Sequence, residues 1–132
     1  MMFRCDAVVE LRTLAKMWNY VDGGPMLHHS LIVVTTTFPD RESAKTVASI
    51  LVDTRLAACV HVGEDVVSWY RWNETVHVDH EVVVTIKAIP EHHDALYQCV
   101  CNHHPYETPQ WVVVQASTSA DYGAWMRHET RS

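Results

Sequence analysis

A long stretch of alternating side chains in the middle of the chain restricts the fold more than any other feature. Its even positions are apolar: Val76, Val78, Val82, Val84 and Ile86. Its odd positions are polar: His77, Asp79, Glu81, Thr85 and Lys87. A period of two predicts a half-buried strand, with Ala58 to Trp72 as its partner and Asn73-Glu74 as the turn. Both arms exceed the usual length of about five or six residues, so we expect a projecting hairpin whose edges attract another subunit.

The remaining elements flank this hairpin in a regular order. A β-branched run at 31–37 predicts a strand, which Phe38-Pro39-Asp40 ends, and Asp40 can then cap a helix. The apolar stripe of that helix is Ala44, Val47, Ala48 and Leu51, and we expect it to end near Asp53 or Arg55. Pro90 begins a second helix in which one face carries Ala95, Leu96, Cys99, Val100 and His103. Pro105 ends that helix, a strand follows at 111–114, and Tyr122, Trp125 and Met126 indicate a C-terminal helix. The order βαββαβ plus a helix predicts an α+β, ferredoxin-like fold.

The first 27 residues differ from the rest of the chain. Their apolar residues fall at helical spacing, at Ala7, Val8, Leu11, Leu14, Ala15 and Trp18. Gly23-Gly24-Pro25 then interrupts the pattern. We interpret 1–27 as an N-terminal extension, helical or disordered. It is either an extra amphipathic helix on a flexible joint or, equally, a plain extension or the result of a start codon placed upstream of Met26. Residues 28–132 are long and apolar enough for one folded domain.

Charge and cysteine content narrow the classes of partner. Asp and Glu outnumber Lys and Arg by 16 to 10, and no basic run could follow a phosphate backbone, so nucleic acid is not an expected partner. No apolar run reaches the roughly 18 to 20 residues that span a bilayer, and Asp6 and Glu10 interrupt any signal-peptide pattern. The four cysteines lack a paired spacing, which favours reduced thiols. We therefore expect a soluble, cytoplasmic protein without a membrane partner.

The stretch CVCNHHPYETPQW, residues 99–111, concentrates the groups that can bind a metal ion. Cys99 and His103 are four residues apart, which places both on one face of a helix. A closed zinc site needs four ligands, and the nearest further donors by type are Cys59, His61 and His104. Thiol and imidazole donors suit copper or zinc better than magnesium or calcium.

Structural roles for the same residues remain open. A cysteine on an apolar helix face is commonly a core residue, and a histidine in the last turn commonly binds the terminal carbonyls. Thiol catalysis is disfavoured because Cys99 and Cys101 lie near the C-terminal end of the helix, which opposes a thiolate. Another four histidines have no motif around them and are expected at the surface: His77, His80, His92 and His93.

Two motifs, HHPYETPQ and TRLAACV at 54–60, together resemble the CutA family of divalent-cation tolerance proteins. The resemblance covers about residues 30–126 and includes Phe38-Pro39-Asp40, the hairpin aromatics at 68–72 and Asp121-Tyr122-Gly123-Ala124-Trp125. It implies a ferredoxin-like homotrimer that binds divalent metal, copper preferentially, without a catalytic reaction. By position it implies metal donors at Cys59, Cys99, His103 and His104.

Two positions depart from the family pattern, and one alternative function stays open. Thr36 stands where some members have a cysteine, and His61 stands where Asn usually follows the AACV motif. His61 is either an added ligand or a solvent-facing strand residue; its alternation with Val60 and Val62 favours exposure. The alternative function is a trimeric, PII-like module that senses a small molecule. Its cleft would be lined by aromatics such as Trp69, Trp72 and Tyr106, which a trimer interface would equally bury.

Overall fold

A computed structural model describes residues 29–131 of the protein. The prediction for residues 1–27 lies outside the described residues. The structure consists of four strands, three α-helices and a short 3₁₀ turn. The strands are β1 (His29–Phe38), β2 (Cys59–Trp72), β3 (Thr75–Ala88) and β4 (Val112–Thr118). The helices are α1 (Arg41–Asp53), α2 (His93–His103) and α3 (Ala120–Glu129), and the 3₁₀ turn is Pro90–His92.

The strands form one sheet in the order β2-β3-β1-β4, with antiparallel pairing throughout. This arrangement confirms the predicted α+β class and the predicted order of elements along the chain. None of the helices in residues 29–131 is both long enough and apolar enough to cross a membrane.

Side-chain caps explain where two of the helices begin. The carboxylate of Asp40 accepts a hydrogen bond from the Ser43 amide at 2.7 Å, which satisfies a donor at the start of α1. The hydroxyl of Ser119 accepts from the Tyr122 amide at 3.4 Å at the start of α3. Since α1 begins directly after Asp40 and ends at Asp53, its predicted start and end are both confirmed.

The core lies between one face of the sheet and helices α1 and α2. Alternate residues of β1 and β3 point into it, because successive side chains of a strand face opposite sides. The buried members are Ile32, Val34, Phe38, Ala44, Val47, Leu51, Ala57, Val82, Val84, Ile86, Ala88, Leu96 and Val100. From the predicted helix stripes, Ala44, Val47, Leu51, Leu96 and Val100 are thus buried, while Ala95 is exposed.

The β2–β3 hairpin is 14 residues long on each arm and turns at Asn73 and Glu74, as predicted. Both turn residues have positive φ angles, 49° and 63°, which suits the tight turn of a twisted hairpin. The alternation of β3 is confirmed, but the burial is not uniform along it. Val82, Val84 and Ile86 are buried, whereas Val76 and Val78, nearer the turn, are 52% and 48% exposed.

Two polar residues are buried where the pattern indicated solvent. Glu81, on the polar side of β3, is only 5% exposed, and burial together with the nearby Glu81 carboxylate raises the pKa of Tyr106. His93 is also 5% exposed, so its predicted surface position is wrong. Its Nε2 accepts a hydrogen bond from the Trp111 indole at 3.1 Å, and its Nδ1 donates to Asp94 at 3.0 Å.

Candidate functional site

The predicted metal donors Cys99 and His103 lie together at the end of α2. The Cys99 sulfur is 3.9 Å from Nδ1 of His103, as expected for residues four apart on a helix. That Nδ1 is also 2.8 Å from the carbonyl oxygen of Cys99. Since a carbonyl can only accept, Nδ1 carries the proton and Nε2 carries the lone pair. His103 therefore binds a terminal carbonyl of α2, as the structural alternative described.

The Cys99 thiol is half-buried and packs against the hydrophobic core. Burial raises the pKa of Cys99 above the ordinary thiol value. A metal ion binds the thiolate form, so this environment opposes both metal ligation and nucleophilic attack by Cys99. The contacts of Cys99 therefore fit the structural alternative, in which this cysteine is a core residue.

The neighbouring His104 has a different environment from His103. It is 8% exposed, and its ring lies against Phe38 with the ring centres 4.2 Å apart. Its Nε2 donates to the Thr37 carbonyl at 2.7 Å, and its Nδ1 accepts from the Tyr106 amide at 3.0 Å. Both ring nitrogens are thus occupied by the backbone. Burial lowers the pKa of His104, although the hydrogen bond to Thr37 acts in the opposite direction.

The fourth predicted donor, Cys59, lies beside His61 at the start of β2. Its sulfur is 3.4 Å from Nε2 of His61, a residue that is exposed, as the alternation predicted. Val60 and Val62 pack against the core, so Cys59 and His61 point to the other face of the sheet. A Cys-x-His spacing on a strand places both side chains on one face, and this signal in the sequence identifies the pair.

The structure therefore brings the candidate donors together as two Cys–His pairs on opposite faces of the sheet. Cys99 and His103 lie on the side covered by α1 and α2, and Cys59 and His61 lie on the other side, where Lys87 contacts Tyr122 of α3. Within residues 29–131, no group of three or more His, Cys, Asp and Glu side chains is placed to hold one ion. Each pair supplies two of the donors that a metal site requires.

A cleft at the base of the hairpin was not predicted from the sequence. Its volume is about 170 Å³, and its lining is Pro39, Asp40, Arg41, Asp65, His80, Glu81 and Val82. The Arg41 guanidinium donates to Asp65 at 3.1 Å and to the Gly63 carbonyl at 3.0 Å across this cleft. The aromatic residues proposed to line a cleft differ in their exposure to solvent. Trp69 is 73% exposed, whereas Tyr106 is half-buried beside Glu81.

Comparisons with known proteins agree on one family. The family model for the CutA1 divalent ion tolerance protein matches residues 32–129. The divalent-cation tolerance protein CutA of Escherichia coli K12 is 32% identical over 101 residues, which cover 76% of this chain and 90% of the relative. The solved structure of CutA1 from Thermus thermophilus is 35% identical, with a TM-score of 0.74 over 76% of this chain and 99% of its own. CutA from Xylella fastidiosa is 33% identical, with a TM-score of 0.74 over 76% and 98% of the two chains.

Proposed function

Since this chain belongs to the CutA1 divalent ion tolerance family, we propose that it is a non-enzymatic protein that binds divalent metal ions, copper preferentially. The observation that carries this proposal is the family match over residues 32–129, within which both Cys–His pairs lie. Thiolate and imidazole donors favour copper and zinc over magnesium and calcium, and copper binds most strongly among the first-row divalent ions. The resemblance implies donors at Cys59, Cys99, His103 and His104, and the proposal requires an ion at one of the two Cys–His pairs, Cys59 with His61 or Cys99 with His103.

The proposal includes the assembly, the topology and the location of the protein. We propose a homotrimer of ferredoxin-like protomers in the cytoplasm. The antiparallel strand order β2-β3-β1-β4 supports this topology, and the half-exposed valines of the long hairpin support an interface between subunits. The cytoplasmic location rests on the four cysteines. Their spacing does not suggest disulfide pairs, and reduced thiols are typical of the cytoplasm. The relatives are divalent-cation tolerance proteins, so the small-molecule-sensing alternative is not favoured.

Competitive metal uptake tests this function. Reduced protein is dialysed anaerobically against equal concentrations of Cu²⁺, Zn²⁺, Ni²⁺ and Mg²⁺, and bound metal is counted by mass spectrometry. We expect saturation near one ion per protomer, with copper enriched and magnesium absent. A thiol titration afterwards checks that copper has not oxidised the cysteines. The double variant Cys59→Ser/Cys99→Ser is the control without the paired thiols. Unsaturable uptake, or uptake unchanged in the double variant, would contradict the proposal.

A further inference from the structure

We propose that His93 is a pH-dependent switch, which holds the start of β4 against α2 at neutral pH and releases it as pH falls. This inference goes beyond the proposed function and involves none of the candidate metal donors. His93 is the first residue of α2, and Trp111 immediately precedes Val112, the first residue of β4. The contact between the His93 and Trp111 side chains therefore connects the start of one element to the start of the other.

The hydrogen bonds of His93 fix the protonation state of its ring. The indole nitrogen of Trp111 can only donate, and it donates to Nε2 of His93 at 3.1 Å. Nε2 therefore carries the lone pair, and Nδ1 carries the proton, which it donates to the Asp94 carboxylate at 3.0 Å. This arrangement requires a neutral imidazole with its proton on Nδ1.

The burial of His93 makes a second proton costly. The residue is 5% exposed, and the centre of its ring lies 6.2 Å from that of Tyr97 and 6.0 Å from that of Trp111. Trp111 also lies 5.0 Å from Tyr97 and packs against the hydrophobic core. A proton on Nε2 would set an N–H group of His93 against the N–H group of the indole. Since two donors cannot share a hydrogen bond, protonation would leave buried donors without an acceptor, and one of the rings must move.

The charged groups around His93 favour movement of the protonated ring towards solvent. Two titratable groups contact the ring, the Asp94 carboxylate and the Tyr97 phenol, and both belong to α2. The Asp94 side chain is 89% exposed, so an imidazolium that stays paired with it can turn outwards. The side of β4 contributes the indole of Trp111, which does not titrate.

The other elements packed nearby leave this pairing unchanged. On the preceding 3₁₀ turn, the Glu91 carboxylate is 3.5 Å from the Arg127 guanidinium of α3, and His92 is the other titratable residue. The core residues that α1 and β1 contribute on this side of the sheet are uncharged. Among the described residues, His92 is thus the neighbour whose titration must be distinguished from that of His93.

The direction of the pH dependence follows from these contacts. The released state binds the additional proton and the held state does not, so the released fraction rises as pH falls. Histidine is the side chain that ordinarily changes its charge between about pH 5 and 8. Release removes the indole from α2 and loosens the first residues of β4, where Val112 pairs with Thr35 of β1.

Nuclear magnetic resonance of the ¹⁵N-labelled full-length protein tests the switch between pH 8 and pH 5. The indole N–H signal of Trp111, assigned by its absence from Trp111→Phe, should shift and exchange faster with water as pH falls. Its midpoint should equal that of the His93 imidazole signals. Amide hydrogen exchange at residues 112–114, relative to the intrinsic rate at each pH, should rise about threefold to tenfold, as expected for the loss of one hydrogen bond.

Two variants separate His93 from its neighbour. The side-chain carbonyl of His93→Gln can accept from the indole but does not titrate, so this variant should keep the Trp111 signal and the slow exchange unchanged down to pH 5. His92→Gln is the matched control and should retain the transition. If His93→Gln does not fold, the indole and imidazole signals of the unmodified protein still decide the outcome. The inference is overturned by a Trp111 signal that is constant with pH, that changes apart from the His93 titration, or that changes equally in His93→Gln.

Discussion

Two adjacent histidines, His103 and His104, differ completely in what surrounds them. The His103 ring is exposed and binds the carbonyl of Cys99 within its own helix. The His104 ring is buried and connects the end of α2 to the end of β1 through Thr37. The sequence makes both of them candidate donors, and the helix spacing singles out only His103, four residues after Cys99. Only the position of β1 decides which imidazole is enclosed.

This difference predicts a pH dependence of stability that belongs to His104. Burial holds the pKa of His104 below the ordinary imidazole value of about 6.5, so the unfolded state binds more protons than the folded state. The free energy of unfolding should therefore decrease as pH falls through about 6.5, towards the lower pKa of the folded protein. Urea denaturation at intervals from pH 8 to pH 5 measures this slope.

The matched variants are His104→Gln and His103→Gln. His104→Gln removes the titrating group, so its slope should be smaller, and at pH 8 it should be less stable by about 1 to 3 kcal/mol because a buried hydrogen-bond partner is lost. His103→Gln should retain the slope of the unmodified protein. Equal slopes in all three proteins would show that other groups cause the pH dependence.

At the scale of elements, the hairpin contains an irregularity on which its shape depends. The register of β2 and β3 shifts between Val62 and Asp65, where β2 carries an extra residue. A Cβ atom built on Gly63 would lie 2.8 Å from the Val83 carbonyl oxygen, which is too close for any side chain. A bulge of this kind bends the strand and increases its twist, and Gly63 permits the close approach of the two backbones at the bulge.

Gly63→Ala should therefore destabilise the protein by about 1 to 3 kcal/mol, since backbone must move to relieve the contact. Asp65→Ala is the control at the same bulge. It removes the ion pair between Arg41 and Asp65, whose side chains are 41% and 70% exposed, respectively. Exposed ion pairs of this kind contribute at most about 1 kcal/mol to stability. Thermal denaturation of both variants measures the difference. A Gly63→Ala protein as stable as Asp65→Ala would mean that the strand adapts without cost.

Local patterns predicted the elements of this fold, and contacts distant in sequence decided what the patterns missed. The alternation at 76–86 identified β3 because a strand has a period of two, and Asp40 identified the start of α1 because a cap acts within one turn. His93 is buried by Trp111, and Glu81 by Tyr106, and neither partner is near it in the chain. The same limit applies to the site, since helix spacing paired Cys99 with His103 but could not show which nitrogens the backbone occupies.

At the scale of the whole molecule, the apolar face of the sheet extends beyond the helices that cover it. The core side of the hairpin continues past α1 and α2 as Val67, Trp69, Val76 and Val78, which we call the hairpin stripe. These residues are exposed by 52%, 73%, 52% and 48% in the protomer. Contiguous exposed apolar residues on a strand pair mark a contact surface, and the proposed trimer supplies a second copy to cover this one.

We predict that Trp69→Lys/Val78→Lys converts the proposed trimer to a monomer without unfolding the protomer. The two residues are paired across the hairpin, so the variant places two charges at the centre of the stripe. Each lost side chain removes about 1.5 to 3 kcal/mol of apolar burial per interface, and unpaired charges there add a desolvation cost.

Val52→Lys, on the exposed side of α1 at 45% exposure, should remain trimeric. Light scattering coupled to size-exclusion chromatography measures the masses, and circular dichroism checks the fold. A folded double variant that is still trimeric would exclude the stripe from the interface, and an unmodified protein that is monomeric would contradict the proposed assembly.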